Sequence, residues 1–93
     1  MRERWWGGSG RRVPELAVEG DAAVPIEEAL VLDGVGDLQA LADAFGAGRP
    51  VVVRAASPEE VRAALARPEV AAVLVPEERR ELLELDLTEL TYG

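Results

Sequence analysis

Histidine, cysteine, lysine and asparagine are all absent from this 93-residue chain, and each absence removes a chemistry. Without histidine or lysine there is no Ser-His-Asp triad, no Ser-Lys pair and no Schiff base. Without lysine, a phosphate-binding P-loop lacks its defining cation. Without cysteine no disulfide staples the fold, and without cysteine or histidine the usual structural zinc sites cannot be built. The side chains left for catalysis are carboxylates, arginines, Ser9, Ser57, Thr88, Thr91 and Tyr92. No catalytic residue is assigned on that basis, and no cofactor is implied. Long apolar runs are missing too: none approaches the roughly 20 residues that span a bilayer. No signal peptide opens the chain. The expectation is a cytoplasmic protein with no membrane partner.

What is present describes a globular chain. Hydrophobic residues make up 48% and charged residues 30%, which is enough apolar surface for one small core. The net charge of −8 is unevenly placed. Residues 1–12 hold four arginines against one glutamate, a net +3, whereas residues 13–93 hold six arginines against seventeen acids, a net −11. An acidic body repels nucleic acid and anionic membranes, and this argues against either as a partner. The chain therefore divides into a basic, aromatic arm over 1–12 and a single domain over 13–93.

The clearest structural signal runs from Pro50 to Leu65. Val51, Val52 and Val53 are β-branched and consecutive, as in a strand buried on both faces. Ser57 then stands as an N-cap, with Pro58 at the first helical position and Glu60 three residues after the cap, the pattern of a capping box. Val61, Ala64 and Leu65 follow at helical spacing. Two similar units flank this one. Ala29–Leu32 reads as a strand, Asp33–Gly36 as a turn, and Asp37–Phe45 as a helix whose Leu38, Leu41, Ala42 and Phe45 form one apolar face. Val70–Val75 reads as a third strand, and Pro76–Glu84 as a third helix with Leu82 and Leu83 facing inward. A final strand is expected near 85–92, where Leu85-Asp86-Leu87-Thr88 alternates, with a continued helix as the alternative because Leu83, Leu87 and Leu90 fit helical spacing. Between arm and repeats, Val13–Ile26 reads as a hairpin turning at Gly20-Asp21.

Consecutive strand-helix units predict a parallel sheet with right-handed crossovers. The fold class is accordingly α/β: a small open, mostly parallel sheet of about three βα units with an N-terminal hairpin at the edge. A ferredoxin-like α+β arrangement is the alternative.

In an open parallel sheet, ligands bind beyond the carboxyl ends of the strands. That edge is expected to carry Asp33, Gly34, Gly36 and Asp37 after one strand, Arg54 and Ser57 after the next, and Glu77 after the last. Gly34-Val35-Gly36 has the start of a dinucleotide fingerprint, but Gln39 replaces its third glycine, and Asp33 and Asp37 repel a pyrophosphate. Carboxylates suit a hard divalent cation, or they simply cap their own helices. Arg54 either grips an anion bidentately or pairs with Asp33 or Glu77. In the arm, Arg4, Trp5, Trp6, Arg11 and Arg12 are residue types enriched at interface hot spots. The favoured function is a non-catalytic protein-protein interaction module, working as a homo-oligomer or as a subunit of a larger assembly, with the arm reaching a neighbour. The alternative is a small-ligand or divalent-metal-binding domain using the carboxylate and arginine edge.

Overall fold

A computed structural model of the protein describes residues 3–8 and 10–84. Its centre is a four-stranded sheet in the order β3 (Leu16–Val18), β6 (Val70–Val75), β5 (Val51–Arg54) and β4 (Leu30–Leu32), with every neighbouring pair parallel. Helix α1 (Leu38–Gly46) joins β4 to β5, and α2 (Pro58–Leu65) joins β5 to β6. A separate antiparallel hairpin, β1 (Glu3–Trp5) and β2 (Arg12–Pro14), precedes the sheet. The α/β class and the mostly parallel sheet are as the repeat predicts.

The sheet is buried on both faces, and the valine run explains how. Val51 and Val53 point to the helix side, where they meet Leu41, Val61, Ala64 and Leu65. Val52 points to the other side and meets Trp6, Val13 and Leu74, as strand alternation requires. In β6 the alternation resets. Val70, Val73 and Val75 share the helix face, while Ala71, Ala72 and Leu74 share the other. The register with β5 slips between Val51 and Val52. That irregularity places two alanines in succession on one face, as a β-bulge does.

Residues 3–14 are built into this core. Trp6 is 1% exposed and is the largest side chain in the cluster on the face away from the helices. Arg4 clamps the hairpin down: its Nε donates to Glu15 Oε1 at 3.1 Å, and its Nη atoms donate to the carbonyl oxygens of Leu65, Arg67 and Val70. These carbonyls lie at and beyond the end of α2, where helix geometry leaves acceptors unfilled. Gly7 sits at φ +56°, and a Cβ there would lie 2.4 Å from the Gly48 carbonyl oxygen. Only glycine permits this approach, which the Gly8 N–H to Gly48 O bond of 2.9 Å holds closed.

Four sequence expectations are corrected. The hairpin is not at Val13–Ile26. Leu16–Val18 pairs in parallel with β6, and no strand forms at Ala22–Val24. A turn does occur at Gly20, but the Asp21 carboxylate then accepts from the Ala23 N–H at 2.9 Å and winds the chain into a second turn. The third helix is a 3-10 segment, Glu77–Glu84, with non-helical backbone at Arg79. In it Leu82 is buried and Leu83 exposed, so only one of the two faces inward. Finally, the apolar face of α1 is split: Leu41 and Ala44 are buried, while Leu38, Ala42 and Phe45 are exposed. The strand expected near 85–92 lies outside the described residues.

Candidate functional site

The carboxyl edge of the sheet holds the residues proposed for a ligand, and most of them bind one another or their own backbone. Arg54, at the end of β5, forks onto Glu19, just beyond β3: Nε donates to Oε1 at 2.9 Å and Nη2 to Oε2 at 3.4 Å. Neither Asp33 nor Glu77 is its ion-pair partner, contrary to expectation. The intervening β6 ends in the apolar Leu74 and Val75, so the acid from the next strand over reaches across. The hydrogen bond that Arg54 donates to Glu19 raises the Arg54 pKa, the charge of Glu19 raises it further, desolvation opposes, and Asp33 adds a weaker attraction. Glu19 is the residue that sequence reasoning misses. Its signal is its place one residue after Val18, which is legible only once Leu16–Val18 is known to be a parallel strand.

Some of the other edge residues have local duties. Asp37 caps α1, accepting from the Ala40 N–H at 3.0 Å. Ser57 caps α2, accepting from the Glu60 N–H at 3.2 Å, and Glu60 reaches back to the Ala56 N–H at 2.9 Å, one residue earlier than the usual reciprocal bond. Gly34 and Gly36 have negative φ, and a Cβ at either would meet nothing within 4 Å, so neither makes a close backbone approach. Glu77 is exposed in the first turn of the 3-10 segment. A cavity of about 280 Å³ remains, lined by Glu19, Asp33, Arg54, Glu60, Leu74 and Pro76 among others. Among the described residues, no group of three carboxylates converges closely enough to hold a metal ion.

The amino edge differs in kind. A groove of about 1000 Å³ opens between the hairpin, the end of α1 and the end of α2. Trp5 and Phe45 line it and are 61% and 60% exposed. Its floor is apolar or backbone: Gly7, Gly8, Gly48, Leu65, Ala66, Pro68, Val70 and Ala71. Glu3, Arg4, Arg12, Arg49 and Glu69 line it as well, with the Arg12 guanidinium stacked 5.1 Å from the centre of the Trp5 ring.

The five arm residues proposed as an interface therefore part company. Trp6 is in the chain's own core, and Arg4 is engaged beneath the groove with Glu15 and three carbonyls. Arg11 pairs with Glu28 on the surface. Trp5 and Arg12 remain presented outward, joined by Phe45 and Arg49, which lie far along the chain. Phe45 carries a sequence signal, but as part of a buried helical stripe. No helix among the described residues is long and apolar enough to cross a membrane.

Compared with protein-family models, with curated proteins and with solved structures, the chain matches none of them.

Proposed function

We propose that this protein is a non-catalytic protein-protein interaction module, acting as a homo-oligomer or as a subunit of a larger assembly, and that the amino-edge groove is its docking surface. One observation carries the reading: two of the chain's four aromatic side chains, Trp5 and Phe45, stand more than half exposed at the same apolar groove. A small domain gains nothing from leaving such surface in water, because each aromatic ring is worth some 150–250 Å² of burial when covered. Arginine beside an exposed ring is the composition of interface hot spots. The ligand-binding alternative has less support, since Arg54 pairs with Glu19 while Asp37 and Ser57 cap their own helices. The reading carries with it the cytoplasmic compartment expected from the sequence.

A photo-crosslinking residue in place of Phe45 tests it in the cells that make the protein. Discrete adducts from position 45, with none from a control at exposed Glu59 on α2, are expected. No adduct from position 45, or equal labelling at both positions, overturns the groove as a docking surface.

A further inference from the structure

Helix α1 carries an exposed apolar stripe beside its buried one. Leu38, Ala42 and Phe45 stand at i, i+4 and i+7 and share one side of the helix. Leu38 is 56% exposed, and Ala42 and Phe45 are exposed with it. The stripe is bulky at its ends and small at its middle. Two such helices that cross antiparallel about a two-fold axis beside Ala42 bring alanine to alanine. Small residues at the crossing allow the helix axes to approach to the lower end of the usual 8–10 Å, roughly. The same operation sets Leu38 of each copy against the last turn of the other. That turn holds Phe45, and Phe45 is a wall of the groove that also contains Trp5.

Charge selects the same arrangement. From Val13 to Gly48 the chain has eight acids and no basic residue. Asp33 and Asp37 stand exposed before the start of α1, whereas the groove at its end is lined by Arg12 and Arg49 against one exposed acid, Glu3, its other charged residues Arg4 and Glu69 being paired with Glu15 and Arg67. An antiparallel crossing sets the acidic end of each helix against the basic end of the other, twice over. A parallel crossing opposes like ends and loses both matches.

We infer that the occupant of the groove is helix α1 of a second copy of this chain. The two copies are related by a two-fold axis beside Ala42, and Leu38 of each enters the groove between Trp5 and Phe45 of the other. This rests on the docking reading above and names its partner. One leucine entering an aromatic groove, twice, is at the small end of specific interfaces, below about 1,200 Å² in total. The dimer is therefore reversible, and dilution dissociates it.

The absence of native cysteine makes the test direct. At the proposed crossing, the two Ala42 positions lie within the Cα separation of roughly 7 Å that a disulfide requires. Ala42→Cys under mild oxidation is expected to yield a covalent dimer much faster than Ala63→Cys, a control exposed on α2. Light scattering on the wild-type chain is expected to rise from one chain to two with concentration. Leu38→Ser and Phe45→Ser should each raise the dissociation constant about tenfold or more, with the melting temperature of the dilute protein unchanged. A single-chain mass at every concentration overturns the second copy as occupant. So does equal crosslinking at 42 and 63, or a dimer indifferent to both serine variants. Adducts to a different protein from position 45, with a monomeric mass, reject this partner while leaving the docking reading intact. Loss of all adducts from position 45 rejects both.

Discussion

The two ends of the parallel sheet use similar residue types to opposite effect. At the carboxyl edge most of the polar groups are consumed: Arg54 by Glu19, Asp37 and Ser57 by helix N–H groups, Glu60 by the Ala56 N–H. At the amino edge Arg4 holds Glu15 and three carbonyls, while Arg67 Nε and Glu69 Oε1 are buried with no hydrogen-bond partner among the described residues. What remains outside is a pair of aromatic rings with arginines beside them. Ligand chemistry in α/β sheets is expected at the carboxyl edge, yet in this chain the larger unsatisfied surface is at the other end. Titratable side chains near a strand end are weak evidence of a site when caps and cross-strand pairs account for them. Exposed aromatic rings sharing a groove are stronger, because nothing within the described chain covers them.

The comparison breaks hardest at Trp6. If the amino edge is held together from beneath, Trp6→Ala removes the largest buried side chain of that face and should destabilise the fold by about 3–5 kcal/mol. Urea denaturation measures it. A change under about 1 kcal/mol would mean that residues 3–14 do not form part of the folded core. The same finding changes how the arm is to be probed. Deleting residues 1–12 removes Trp6 and Arg4 together, so the deletion tests folding and not assembly. Trp5→Ala keeps the hairpin core and addresses the exposed surface alone.

Arg4→Ala comes next. Arg4 is the only cation hydrogen-bonded both to the nearly buried Glu15 and to the carbonyls beyond α2 among the described contacts. Removing one member of such a pair costs about 3 kcal/mol, chiefly because the carboxylate stays buried with less support. Arg4→Lys should recover only part of this, since an ammonium cannot present the planar fork that reaches several acceptors at once. Full recovery by lysine would reduce Arg4 to a simple charge.

How much of this fold is legible in the sequence depends on the distance between partners along the chain. The valine strand, its Ser57 cap and the α2 stripe are legible because each signal is local: β-branching, a cap and a 3.6-residue period. The boundaries of β6 are legible because prolines stand before and after it. The N-terminal hairpin escapes a sequence reading because Gly7, Gly8 and Gly10 resemble a linker, and the tight approach to Gly48 depends on a segment far away. Leu16–Val18 reads as a hairpin strand for the same reason. Its alternation is real, but its partner is Val73–Val75 at the other end of the described chain. Without that pairing, Glu19 cannot be placed beside Arg54. The stripe on α1 is only half legible because periodicity reports which residues share a side of a helix and not what covers it.

At the carboxyl edge, Ser57→Ala should cost about 1 kcal/mol, the ordinary value for an N-cap whose side chain accepts one helix N–H. Thermal denaturation checks it, and Ser57→Asp should restore the loss by accepting the same bond. An unchanged midpoint in Ser57→Ala would show that Glu60 holds the start of α2 alone through the Ala56 N–H.

The smallest effect is expected at Arg54, and it sharpens the contrast most. Arg54 and Glu19 are both exposed, so water and salt screen their attraction and two long side chains must be ordered to make it. Arg54→Ala should leave the denaturation midpoint where it is. The raised pKa gives no handle at ordinary pH. A base whose folded pKa lies above its unfolded value contributes its stability in full below the unfolded value, and loses it only as pH rises through the folded one. For an arginine both lie above the working range, so wild type and Arg54→Ala should show parallel stability curves from about pH 5 to about pH 9. Calorimetric titration with nucleotides and with Mg²⁺ completes the test. A pair engaged only with itself predicts no heat of binding for either. Micromolar binding that disappears in Arg54→Ala or Asp33→Ala would move the functional site to the carboxyl edge, with the Glu19 bridge then serving as the contact an incoming anion displaces.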